Sequence, residues 1–272
     1  MNRRHFLLAT AASLMIPTLA KAAAAPLSDE EKEQFLQHGE IVKRKGTKTG
    51  TTGTSRLTLR HGGFTHDAHL QTIDVFKDRF QTASGMELNF RDSYKFNIAA
   101  YRLDRLINLN MVPVSVERKV ARRIGSFAWW VDDMQMMEAE RYKKKISLPN
   151  QAAWLDQMAN VRIFNELVYN TDPNLGNLLI TNDWGIRLID FSRAFRISPE
   201  LRRPENLGRV DQCVYDGLRS LTREKLAGEM DSLLRESEIT GLLARRDGIV
   251  QFFEKAIAEK GEGMVVCKLE GH

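Results

Sequence analysis

Cysteine is scarce in this chain, net charge is low, and long apolar runs are missing. Each scarcity excludes something. Cys213 and Cys267 are the only cysteines among 272 residues. That is too few for a disulfide scaffold, and their spacing suggests no metal module. The two thiols can pair or stand free. The longest apolar stretch, Leu7 to Ala20, falls short of the roughly 20 residues that span a bilayer. No internal repeat or low-complexity tract appears, which excludes solenoid and filamentous designs. What remains is an ordinary globular composition, 43% hydrophobic and 28% charged, long enough for a substantial core.

The first 22 residues stand apart. Arg3 and Arg4 precede the apolar run, and Ala20-Lys21-Ala22 follows it as a small-x-small cleavage pattern. This is the layout of an export signal with a twin-arginine start. We therefore expect residues 1–22 to be removed near Ala22, and the mature protein to be periplasmic or secreted with no transmembrane span. No cysteine follows directly, so no lipid anchor is expected there. Removal takes Arg3, Arg4 and Lys21 and lowers the formal charge from +5 to about +2. A nearly neutral remainder gives no electrostatic reason for nucleic acid as a partner.

Residues 23–39 read as a linker with a short helix. Glu40 to Lys45 and Arg56 to Arg60 read as strands around a glycine-rich turn at Gly46, Gly50 and Gly53, and Thr65 to Ile73 as a third strand. Phe96, Ala99, Ala100, Leu103, Leu106 and Ile107 recur at helical spacing and predict a helix over 93–108. Val112 to Arg118 and Ser126 to Val131 follow as strands. A second helix, Trp154 to Tyr169, delivers the chain into a polar loop, and from Leu218 onward the pattern is mostly helical. Asp104, with Arg102 and Arg105 beside it, reads as helix salt bridging. His61, His66 and His69 lack further ligands at metal spacing.

That polar loop carries the chemistry. It reads Asn170-Thr171-Asp172-Pro173-Asn174-Leu175-Gly176-Asn177, and Leu188-Ile189-Asp190-Phe191 follows it. Asp172 and Asn177 are five apart, and Asn177 and Asp190 thirteen apart. Phosphoryl transfer needs a carboxylate to orient or deprotonate the acceptor, and hard oxygen ligands to hold a divalent cation. The triplet has the spacing of a kinase catalytic loop and its metal-binding aspartate. A predicted hairpin between residues 178 and 189 explains the longer interval, because it carries Asp190 back alongside Asn177.

Asn97 to Leu106, followed by Met111 to Arg118, resembles the corresponding helix of secreted, Golgi casein-kinase-like proteins. Asn170 to Asn177 and Leu188 to Phe195 are similar to the catalytic and metal motifs of that group, of HipA-type kinases and of phosphoinositide kinases. The resemblance covers about Glu40 to Phe195. It implies an α+β, two-lobed protein-kinase-like fold. The small β-rich N-lobe with one helix is expected over residues 40–131, and a mostly helical C-lobe over 132–272. It implies ATP or another nucleotide in the cleft, with magnesium or manganese on Asn177 and Asp190, and Asp172 as catalytic base. The turn glycines Gly46, Gly50 and Gly53 would cover phosphates, and Trp129-Trp130-Val131 would pass the adenine.

Two positions depart from that pattern. Gln71 stands where the resemblance calls for the phosphate-binding lysine of the third strand, and Asn97 where it calls for the helix glutamate that pairs with it. A neutral amide pair can hydrogen-bond and so still serve the nucleotide, but it supplies no charge. Lys77 and Lys95 fall off the aligned sites and are expected to face solvent. The sequence thus leaves three functions open: a phosphotransferase acting on a protein, lipid or sugar hydroxyl, a pseudokinase scaffold, or a nucleotidyl transferase using the same triplet.

Overall fold

The structure is a computed structural model that describes residues 26–46, 54–82, 85–120 and 122–268. The export segment, Gly50 and Gly53 lie outside the described residues. The chain opens with helix α1 (Asp29–His38), started by a capping box between Ser28 and Glu31. Strands β1 (Glu40–Gly46), β2 (Thr54–His61) and β3 (Phe64–Gln71) follow. After them come β4 (Asp74–Thr82), β5 (Gly85–Ser93), helix α2 (Lys95–Leu106), β6 (Ser115–Val120) and β7 (Arg123–Trp129). Five of these strands form one antiparallel sheet in the order β1-β2-β3-β7-β6, whereas β4 and β5 pair only with each other.

Period-two alternation explains the sheet. Leu57, Leu59, Ala68, Leu70, Val116 and Phe127 are buried in the common core, which Phe35 and Leu36 of α1 and Phe96, Ala99, Ala100 and Leu103 of α2 join. The segment before the sheet is therefore a packed helix. β7 passes so close to the end of β3 that a Cβ at Gly125 would collide with the Gln71 carbonyl, so that position takes glycine.

The larger, C-terminal part is mostly helical. It contains β8 (Met134–Met137), α3 (Glu138–Lys144), α4 (Gln151–Leu167), the hairpin β9 (Leu178–Thr181) and β10 (Ile186–Leu188), and β11 (Val210–Asp211). Then come α5 (Gln212–Ser220), α6 (Arg223–Met230), α7 (Glu236–Lys260), α8 (Glu262–Val265) and β12 (Val266–Cys267). β8 adds to the hairpin and makes it three-stranded. A sheet-rich N-terminal part and a helical C-terminal part are the two-part mixed architecture that the sequence led us to expect. Among the described residues, no helix is long and apolar enough to cross a membrane. Cys213 and Cys267 are both free thiols, the first exposed and the second buried.

Asp104 makes the expected ion pair with Arg105 of its own helix, but it also does more. It is fully buried, and its Oδ1 accepts the backbone N–H groups of Met111 (2.9 Å) and Val112 (3.0 Å) while Arg105 pairs with its other oxygen. One carboxylate thus clasps the turn that carries the chain from α2 into β6. Burial pushes its carboxyl up to about 6, against Arg105 and the two N–H donors. Because the folded chain then holds the proton more tightly than the unfolded one, this group's contribution to stability falls as pH rises from about 4 to about 6. Asp104→Ala strands two buried N–H groups and should cost roughly 2–4 kcal/mol in urea unfolding. Asp104→Asn keeps an acceptor and should gain on the native protein as pH rises through that window. A native pH profile parallel to that of the asparagine variant would contradict the assignment.

Candidate active site

Helix α4 ends at Leu167, and Tyr169 takes a left-handed φ of 47° that turns the chain into the polar loop. Asn170 is buried and works at both ends. Its Nδ2 donates to Asn165 Oδ1 (2.8 Å), and its Oδ1 accepts the N–H of Asp172 (3.0 Å). Thr171 donates from its N–H (3.3 Å) and its hydroxyl (2.9 Å) to the Arg193 carbonyl, joining the loop to the strand end beyond Asp190. Asp172 is half-buried and accepts from Asn174 Nδ2 at 3.1 Å. The loop then closes in a 3-10 turn, Leu175–Asn177.

Register sets Asn177 opposite Ile189, the residue before Asp190. In the β9–β10 ladder Leu178 faces Leu188. One step further, the Ile189 N–H donates to the Asn177 carbonyl at 3.1 Å. A regular strand would then send the Asp190 side chain to the face opposite Asn177. Asp190 instead adopts φ 60°, a conformation rare for a non-glycine residue, and this takes it out of the pleat. Its carboxylate is exposed, and Gln71 Nε2 approaches Oδ1 at 3.5 Å. Asn177 Nδ2 donates to the Asp172 carbonyl (3.3 Å), so the Asn177 Oδ1 points away from that carbonyl. Two hard oxygens, one neutral and one anionic, are a donor set that fits a small divalent cation.

Gln71 and Asn97 meet. Asn97 Nδ2 donates to Gln71 Oε1, and Asn97 Oδ1 accepts the N–H of Phe191 at 2.8 Å. Together with the Gln71 contact to Asp190, these bonds form a relay of neutral amides. It runs from α2 through β3 to the residue pair Asp190–Phe191. Gly46 ends β1, and a Cβ added there would meet no described residue. Trp129 stacks on His66 at 3.8 Å and packs edge-on against Phe35 of α1, and Trp130 lies 4.0 Å beneath the Arg56 guanidinium. Lys95 donates to the Ser232 carbonyl (2.9 Å), and Lys77 lies over the Phe80 ring, both away from the relay.

Arg193, which directly follows the Asp190 motif in the sequence, and His69 of the histidine group both lie near this site. Arg193 bonds Asp92 (2.9 Å), and that bond, together with the nearby Asp172 and Asp190, holds its guanidinium above the usual range. His69 lies in the field of Asp190, yet burial keeps its imidazole below the ordinary value. The β4–β5 hairpin closes one side of this region, although its alternation at Met86, Leu88 and Phe90 was there to be read.

This arrangement has the frame of a kinase-like fold. No family model and no curated relative matches the sequence, but solved structures do match the fold. A hydra Fam20 structure with sugar superposes with a TM-score of 0.64 at 14% identity, over 89% of this chain and 92% of that one. The Golgi casein kinase with Mn/ADP bound gives 0.62 at 12% identity, over 88% and 78%. The Helicobacter pylori proinflammatory kinase CtkA gives 0.55 at 10% identity, over 83% and 98%.

Asn97→Leu removes one acceptor and two donated bonds at once. It should cost about 1–3 kcal/mol in denaturant unfolding and speed amide exchange at Phe191. An unchanged Phe191 exchange rate would show that the relay does not hold that backbone.

Proposed function

We propose that the protein is an exported phosphotransferase. It uses ATP or another nucleotide with magnesium or manganese and phosphorylates a hydroxyl of a protein, lipid or sugar. The observation that carries this reading is the Ile189–Asn177 hydrogen bond with the left-handed Asp190 beside it. They support the reading that Asn177 Oδ1 and the Asp190 carboxylate share one cation near the half-buried Asp172. The solved Golgi casein kinase with Mn/ADP bound supports a metal and a nucleotide in a fold of this kind.

Asn177 Oδ1 and Asp190 would hold the divalent ion, which when bound neutralises charge on the phosphates. Asp172, oriented by Asn174, accepts the proton of the acceptor hydroxyl. Arg193 keeps a positive charge in the field of both aspartates. Gln71 and Asn97 hold Asp190 and Phe191 in place but add no charge, so this chain depends on the cation for nucleotide affinity more than one with a lysine at residue 71. The same missing charge favours a second reading, a binding module without turnover. Transfer of the nucleotide itself by the same triplet is a third.

Labelled nucleotide separates them. With γ-labelled ATP and magnesium the protein should transfer label. Asp172→Ala should lower transfer by about 10²-fold or more while sparing nucleotide binding, and Asp190→Ala should abolish metal-dependent binding. Binding without any transfer identifies the module, and label transferred only from the α position identifies nucleotidyl transfer. Full transfer by Asp172→Ala removes that residue from the mechanism.

A further inference from the structure

Between the β4–β5 hairpin and the polypeptide after Asp190 lies a cavity of about 730 Å³, with Thr171 and Arg193 in its wall. Thr171 is the residue directly before Asp172 in the chain. The hairpin is a fixed wall, riveted to the C-terminal part by Arg193–Asp92 (2.9 Å), Arg196–Glu87 (2.5 Å) and Arg91–Glu238 (2.5 Å). The Ser93 N–H adds a bond to the Ser192 carbonyl (2.8 Å). Stacked Phe80 and Phe90, 4.1 Å apart, make its apolar side.

The charge of the lining is unbalanced. Arg91, Arg193, Arg196 and Arg202 face the cavity against two carboxylates, Glu87 and Glu238. Arg196 is only 8% exposed, and its Nη2 has no hydrogen-bond partner among the described residues, although Nη1 reaches the Arg91 and Ala194 carbonyls. Burial lowers its affinity for the proton despite Glu87. A buried guanidinium edge without an acceptor is costly, and an anionic oxygen satisfies it through a charge-assisted bond. Arg202 donates to the Asn170 carbonyl and stacks over Tyr169 at 5.4 Å, so its charge stands at the same wall.

We propose that this cavity is the acceptor site, and that its ligand presents an anionic oxygen group, a carboxylate or a phosphate, to Arg196 and Arg202 while its hydroxyl reaches Asp172. The direction of transfer rests on the phosphotransferase reading, whereas the binding of the anion does not. In the transfer step the hydroxyl proton moves to the Asp172 carboxylate, and the hydroxyl oxygen bonds to the terminal phosphorus. The bond from that phosphorus to the nucleotide's bridging oxygen breaks, and the nucleoside diphosphate leaves.

Calorimetric titration of the full chain with glucose, glucuronate and glucose 6-phosphate, without nucleotide, tests this. At least one charged derivative should bind about tenfold or more tightly than glucose. The tighter of the two identifies carboxylate or phosphate as the preferred group. Equal binding of all three, or binding of none, overturns the proposal. Arg196→Gln/Glu87→Gln removes an ion pair together and should erase the preference. Ser198→Asp, on the cavity wall and outside every ion pair, should weaken the charged ligand by a similar factor. A preference that survives both variants overturns the site. Anion binding with no transfer from labelled nucleotide would instead fault the phosphotransferase reading, and with it the acceptor role, and leave the anion site standing.

Discussion

The side-chain amide of Asn97 is the joint on which the rest of the site depends. From one residue of α2 it reaches Gln71 on β3, approaches Ser126 Oγ on β7 at 3.5 Å, and accepts the N–H of Phe191. Each bond contributes only about 1 kcal/mol net, so its weight is geometric. Holding the N–H of Phe191 fixes the peptide directly after Asp190, the residue whose left-handed φ turns its carboxylate out of the pleat. The sheet-rich part therefore positions a group that belongs to the helical part.

Charge explains why amides can occupy this joint. A buried lysine–glutamate pair carries a desolvation cost that good geometry must offset, and losing one partner leaves an isolated ion. Gln71 and Asn97 avoid that cost, and their donors and acceptors match only one way round. Because Asn97 Nδ2 donates to Gln71, its oxygen must face Phe191. The consequence falls on the electrostatics of the cleft. Asp172 and Asp190 are faced by Arg193, which Asp92 already shares. Beside the two carboxylates this region is therefore short of positive charge.

The parts of this architecture that follow from local spacing could be read in the sequence. The β9–β10 hairpin fixes Asn177 against Ile189 by register alone, and the apolar stripe of α2 predicted its buried face. Positions set by distant partners could not be read. Asp104 has the neighbours of a surface helix residue, and its burial depends on the return of Met111 and Val112. The hairpin β4–β5 alternates correctly, yet Phe76, Met86 and Leu88 remain 46%, 58% and 62% exposed, so no core betrayed it. Its role comes from Glu87 meeting Arg196, a pairing that no sequence period encodes.

The Asp172 loop and the cavity wall are also not independent of one another. Arg245 of α7 is fully buried and donates to the carbonyls of Leu167 (2.9 Å), Arg196 (2.9 Å) and Ser198. Its guanidinium also lies 5.4 Å from the Tyr169 ring. Leu167 ends the helix that feeds Asp172, whereas Arg196 and Ser198 line the cavity. One guanidinium therefore sets the distance between the catalytic loop and the surface opposite the hairpin. Burial lowers it to about 10, still far above neutral, so the fork stays charged and its three carbonyl partners stay held. A rigid fork is suited to this task because its donors diverge at fixed angles. The relay through Asn97 holds the Asp190–Phe191 peptide from the sheet side, and Arg245 holds the end of α4, where the Asp172 loop begins, from the helix side. The two anchors share no residue, so the loop and the strand end are held independently of one another.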